Sequence, residues 1–171
     1  AELPVPERQR HLKRASPEAE AAAVLAAVVA ALFLPFWLRG AAPFWGDLTY
    51  LHHPWRAASA SLVQAGRVPL WDPSLYLGMP MLGSMQGGLL YPPTVLFYTF
   101  GFATATALFY FLHYFLAGWL TTLWLRSLRL SWGASLGGGL SMALGGLMVA
   151  RMSFLNHLAV LAWTPALLLF F

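Results

Sequence analysis

Two carboxylates, Asp47 and Asp72, are the only acidic residues after Glu20, and both fall in one stretch, Gly46 to Pro92, crowded with aromatics, prolines and glycines. Ionisable groups kept beside or within a membrane are costly, so carboxylates this scarce mark the first place to look for chemistry. Asp47 supports two compatible readings. It suits the N-cap of a helix beginning at Leu48, and it suits a general base at a membrane surface, since one oxygen can cap while the other faces a substrate. Asp72, wedged between Trp71 and Pro73, is a natural turn former whose side chain bonds the following backbone. His52 and His53 are either interfacial hydrogen bonders or assistants in proton transfer. Asp47 and Asp72 with one of these histidines would be enough for a Mg²⁺ site completed by substrate phosphate, but no fixed ligand spacing points to one, and no metal or other cofactor is expected. Arg56 and Arg67 are the cations of the same stretch, suited to an anionic ligand or to lipid headgroups.

The rest of the chain has the composition of a membrane protein. It has 171 residues, 59% of them hydrophobic and only 9% charged, with mean hydropathy +0.64, against a charged share of about 25% in soluble domains. A soluble globule is excluded. The formal charge of +4 does not indicate nucleic acid. Glu2, Glu7, Glu18 and Glu20 balance Arg8, Arg10, Lys13 and Arg14, and the remaining arginines are scattered at the ends of apolar runs, where membrane topology places them. Nucleic acid is therefore not expected as a partner, whereas membrane lipids are. There is no cysteine, which removes disulfides and thiolate metal sites. The absence of an initial Met and the apolar end at Leu167 to Phe171 read as a fragment of a longer protein.

The elements that would position the carboxylates follow from the hydropathy pattern, which predicts an all-α, polytopic membrane bundle. Residues 1–18 are a polar tail, and 19–171 form the membrane domain. Its spans are expected at about 19–38, 102–125, 132–150 and 157–171, the last cut short, with a loop at about 39–101. The first span is read as a retained anchor in preference to a cleaved signal peptide. Within the loop, Leu48, Leu51, Trp55, Ala58 and Leu62 recur at helical spacing and Gly66 is a C-terminal stop, which predicts an amphipathic interfacial helix. Pro54 interrupts that pattern, so the helix either kinks or starts at His53. Residues 67–73 hold two prolines and are expected to be extended or turned, and Leu89 to Phe100 reads as a short interfacial or re-entrant helix. Gly133, Gly137, Ser141, Gly145 and Gly146 predict a small-residue packing face on the third span. His113 and His157 are polar groups at apolar addresses, facing the bundle interior or satisfied by a backbone carbonyl. Basic residues before the first span and at Arg126 and Arg129 put those segments in the cytoplasm, with the N-terminus inside and the 46–92 loop outside.

The order of the loop's features resembles a known family. Gly46-Asp47-Leu48, then Pro54, Gly66, Pro69-Leu70-Trp71-Asp72-Pro73, Gly78-Met79-Pro80, Gln86 and Tyr91-Pro92 resembles the first external loop of YfhO-like bacterial membrane proteins. Asn156-His157 followed by Trp163 and Pro165 looks like that family's fourth span. The family is related to the GT-C glycosyltransferases, which take sugars from polyprenyl-phosphate carriers. The resemblance implies a GT-C-like fold in the bacterial cytoplasmic membrane, with an essential acidic residue in the first external loop and interfacial helices bordering the active site. By position Asp47 is that catalytic residue, and His53, Arg56, Arg67 and Gln86 are candidates for substrate binding. The family commonly has Asn where this chain has Asp72, which favours a structural role for Asp72. The implied function is transfer of a sugar from a lipid-linked phosphosugar to an acceptor outside the membrane, with donor-phosphate contacts usually made by later loops. The rival class is a non-enzymatic membrane protein, either a transporter segment or a scaffold that binds lipid or a partner.

Overall fold

The computed structural model describes residues 16–43, 45–75 and 77–171. The tail expected at 1–18 falls mostly outside them. Three helices are long and apolar enough to cross a membrane: Pro17–Arg39, Phe102–Ser127 and the pair covering Trp132–Ala150. A shorter apolar helix, Leu155–Phe170, follows. The protein is a largely helical membrane protein.

Helix α1 (Pro17–Arg39) carries its start and stop signals in its sequence. Ser16 accepts from the Ala19 amide at 3.2 Å, Pro17 occupies the first turn, and Glu18 and Glu20 lie at the positive end of the helix dipole. Gly40, at φ +57°, ends it by bonding back to Phe36 and Trp37. Its buried stripe is Ala21, Leu25, Val29 and Phe33, one residue per turn. That stripe lies on α4 (Phe102–Ser127), where Phe33 meets Tyr114 edge-on at 5.0 Å and Tyr110 at 5.5 Å.

Helix α4 is the central post, packed by α1 on one side, by α5 (Trp132–Leu144) on another and by α7 (Leu155–Phe170) on a third. The α4–α5 contact depends on small residues. A Cβ on Gly118 would stand 2.8 Å from Leu25 and 3.0 Å from the Gly139 carbonyl, and one on Gly139 would overlap Thr122 and the Gly118 carbonyl. The packing face of α5 is therefore Ser135, Gly139 and Ala143, with Gly138 against Leu125. The face expected from the sequence is turned away, since Gly133 and Gly137 have open space where a side chain would be. Gly145, in extended conformation, breaks the third span and separates α5 from the short α6 (Gly146–Ala150).

The segment between α1 and α4 contains three devices. The first is the helix that includes α2 (His53–Gln64), preceded by one wide turn over Leu48–His52 in which the His53 amide bonds Leu48 O, five residues back. Pro54 has no amide to give Tyr50 O, and the wide turn places the loss of a helical bond where the donor is missing anyway. The helix therefore continues through the region instead of starting at His53. Asp47 is itself helical and makes no capping bond, which corrects its N-cap reading, because a cap residue must be extended for its side chain to reach forward. At the other end Gly66 (φ +70°) bonds Val63 O and Arg67 bonds Leu62 O, a Schellman closure. The second device is a two-residue antiparallel ladder, β1 (Trp71–Asp72) with β2 (Met79–Pro80), an addition to the all-α expectation. Gly78 permits it, since a Cβ there would collide with the Trp71 indole. The third is a 3₁₀ turn, Pro92–Val95, running into α3 (Leu96–Thr99), shorter than the helix expected from Leu89.

Candidate functional site

The wide turn matters to the site because it sets which side chains face inward. Adjacent residues on a helix point about 100° apart. His52 is buried and His53 is exposed, its ring stacked on Phe102 at 4.2 Å. Of the histidine pair, His52 is the one that faces the site, and His53, a candidate from the sequence, does not line it.

His52 lines a polar cleft of about 150 Å³ together with Asp47, Leu51, Gln86, Phe154, Asn156 and His157. Three distant parts of the chain meet here: the wide turn, the loop before the 3₁₀ turn and the start of α7. Asn156 ties two of them, donating from Nδ2 to the Gln86 carbonyl at 3.0 Å and to Gln86 Oε1 at 3.1 Å. Asp47 is half-buried and lines the cleft. Burial, reinforced by the charge of Arg56 and by His157, lowers the His52 imidazole to a pKa of about 4. At neutral pH His52 is thus an uncharged neighbour of Asp47.

Asn156 also lines a second, apolar cavity of about 400 Å³, bounded by Gly88, Tyr91, Phe109, Ala159, Val160, Trp163 and Leu167. The run from Asn156 to Leu167 along α7 is about 16 Å at 1.5 Å per residue, so the cavity is a groove along an apolar helix, with Asn156 lining both it and the cleft. Its wall is fixed by a chain of hydrogen bonds across loop, α4 and α7. His113 Nδ1 donates to the Phe109 carbonyl at 2.6 Å, leaving Nε2 to accept from the Tyr91 hydroxyl at 2.6 Å, and Tyr91 in turn accepts from Trp163 Nε1 at 2.8 Å. His113 is satisfied on both nitrogens and buried, the structural alternative of its two sequence readings.

Arg56 is 2% exposed, so it serves neither solubility nor lipid headgroups at the surface. Its guanidinium lies 4.2 Å over Phe97 and 5.5 Å from Phe109, and Nη1 donates to Thr94 Oγ1 at 3.3 Å. Thr94 Oγ1 in turn donates a hydrogen bond to Gly88 O at 2.7 Å. Nε has no partner among the described residues. Desolvation pulls the Arg56 pKa down to about 10, which leaves it a cation at neutral pH. Arg67, by contrast, is exposed in the helix closure after α2 and does not line the cleft.

Asp72 is buried in β1, where one carboxylate oxygen accepts from the Ser74 amide at 2.8 Å and the Ser74 hydroxyl at 2.6 Å. It does not line the cleft, so the two carboxylates are not brought together as a metal pair. Among the described residues no cluster of three or more acidic, His or Cys side chains is placed to hold a metal ion.

Of the residues singled out in the sequence, Asp47 and Gln86 therefore meet in the cleft, Arg56 is buried beneath Gly88, and His53 and Arg67 stand apart. No family model, curated protein or solved structure matches the chain. The site is thus described by its own geometry: a half-buried carboxylate in a polar cleft, an apolar groove that shares Asn156 with it, and a buried cation beneath Gly88.

Proposed function

We propose that this protein is a membrane glycosyltransferase of GT-C type, related to the YfhO-like family, which moves a sugar from a polyprenyl-phosphate carrier to an acceptor on the outer side of a bacterial cytoplasmic membrane. The observation that carries the reading is Asn156, which lines both the cleft holding Asp47 and the groove along α7. A lipid-linked sugar has the matching shape: a polar head for the cleft and a hydrocarbon chain for the groove.

In this mechanism Asp47 is the base. An acceptor hydroxyl gives its proton to an Asp47 carboxylate oxygen, the acceptor oxygen bonds the anomeric carbon, and the bond from that carbon to the phosphate oxygen breaks. The polyprenyl phosphate leaves with the electron pair, and the anomeric centre inverts. Phosphate is already a good leaving group, so the protein needs only a proton acceptor, orientation and charge stabilisation. Neutral His52 and the Gln86–Asn156 pair supply hydrogen bonds to sugar hydroxyls without adding charge beside the base.

The test is Asp47→Asn in the intact protein. The change keeps size and removes the proton acceptor, so the variant inserts and folds as the parent does, while sugar transfer falls by about 10² to 10⁴. Transfer at the parental rate would remove Asp47 from catalysis and favour a lipid-binding scaffold.

A further inference from the structure

Arg56 is costly to bury, and no carboxylate among the described residues pairs with its charge. A guanidinium has five donors, yet one bond, to Thr94, is made, and no carboxylate among the described residues accepts from it. Withdrawing an unpaired cation from water costs several kcal/mol, and the faces of Phe97 and Phe109 return only part of that. Such a group is retained where a ligand supplies the missing charge.

The surroundings indicate where the ligand enters. Gly88 bounds the apolar groove, and a Cβ on it would stand 3.7 Å from Arg56 Nη2, 3.7 Å from Asn156 Oδ1 and 3.4 Å from Thr94 Oγ1. Arg56 itself lines neither cavity, but any side chain at 88 would cover the edge of its guanidinium, whereas glycine leaves that edge uncovered beside Gly88 and Asn156, which both bound the groove. We propose that Arg56 is the receptor for a phosphate group carried on an apolar chain, with the phosphate at the Gly88 edge and the chain in the groove along α7.

Planar guanidinium donors match phosphate oxygens two at a time. The Asn156 side chain spends its amide protons on Gln86 and presents Oδ1 toward Gly88, an acceptor for a hydroxyl on whatever the phosphate bears. Tyr91, Phe109, Val160, Trp163 and Leu167 give the chain an apolar wall, which selects a lipid-borne phosphate over free phosphate. His52 is uncharged at neutral pH, so Arg56 is the permanent cation of this corner.

The proposal deepens the transferase reading by assigning its phosphate contact, but binding is measured without any sugar transfer. Radiolabelled farnesyl phosphate and farnesol are titrated against the intact protein in nanodiscs, with inorganic phosphate as competitor. The parent should bind farnesyl phosphate about 10- to 100-fold more tightly than farnesol, the strength expected of a charge-assisted pair. Arg56→Met should erase that preference while leaving farnesol affinity and thermal stability undiminished, because a buried unpaired charge gives way to an apolar side chain of similar length. Arg56→Lys, a point charge without the fork, should keep an intermediate preference.

A parent without the preference, or an Arg56→Met variant that keeps it, overturns the proposal. Inorganic phosphate competing as well as farnesyl phosphate overturns the lipid-borne source. Should Arg56→Met fail to fold, the parent and Arg56→Lys decide the matter. Sugar transfer absent from the parent while the preference stands removes the transferase reading and leaves the phosphate site. Transfer present without the preference removes the phosphate site alone.

Discussion

Adjacent residues of one type, His52 and His53, take opposite roles because a single helical step separates an inward face from an outward one. His52 is buried beside Arg56 and His157, and its imidazole is lowered from 6.5 to about 4. A folded-state value below the unfolded one means that, between pH 6.5 and about 4, the unfolded chain holds a proton that the folded chain refuses. Stability therefore declines as pH falls through that window and is fully present above it. Asp47, Arg56 and His157 face or act on the same imidazole, so the comparison with His52→Gln isolates its share: the parent should lose melting temperature between pH 6.5 and 4 more steeply than His52→Gln. Equal slopes would show that His52 is not shielded. At this scale two of the residues that line the cleft, Asp47 and Gln86, were picked out from the sequence. The scarcity of carboxylates drew attention to Asp47 and the ordered loop features drew it to Gln86, whereas Asn156 stood out only in the resemblance to a fourth span and not as a site residue. The burial of Arg56 was not legible, because its aromatic partners Phe97 and Phe109 come from elements well beyond α2, and local sequence gives no sign of them.

Helices were legible where length and hydropathy agreed, as in the span expected at about 19–38, which the structure extends at both ends to Pro17–Arg39. The face of α5 was not, because consecutive glycines at 137, 138 and 139 leave the small-residue pattern with several equivalent registers, and only the neighbour decides. Thr122, Gly118 and Leu125 select Gly138 and Gly139. The prediction is correspondingly specific. Gly139→Leu must push α5 off α4 and should cost several kcal/mol or prevent folding, whereas Gly137→Leu, pointing into open space, should leave the detergent melting temperature near that of the parent. The opposite order would mean that the other face makes the contact. The wide turn before Pro54 was half legible. Proline announced a disturbance, but the choice between a kink, a fresh start and a five-residue turn depends on how the helix docks. Here Trp55 is buried and Gln64 Nε2 bonds the Tyr98 carbonyl at 3.1 Å. The β1–β2 ladder, two residues on each side, is too short to leave an alternating pattern.

At the scale of the molecule, α4 carries the design. One end of the bundle brings together the wide turn, the loop around Gln86 and the head of α7, and α7 then walls the groove along its length, with Phe109 of α4 and Gly88 and Tyr91 of the loop opposite. The Trp163–Tyr91–His113 chain links loop, α7 and α4 with every donor used, so groove and cleft should move as one body. The central claim is that these two cavities form one site, with a lipid-linked head beside Asp47 and its chain along α7. The most direct measurement is photo-crosslinking of the intact protein with two polyprenyl-phosphate sugars, one bearing a diazirine on the sugar and one bearing it on the chain, followed by peptide mapping. The account predicts that the sugar label reaches Gln86, Asn156 and His157 and that the chain label reaches Val160, Trp163 and Leu167. Labels confined to the exposed side of α1, around Leu32, Leu34 and Leu38, would contradict it.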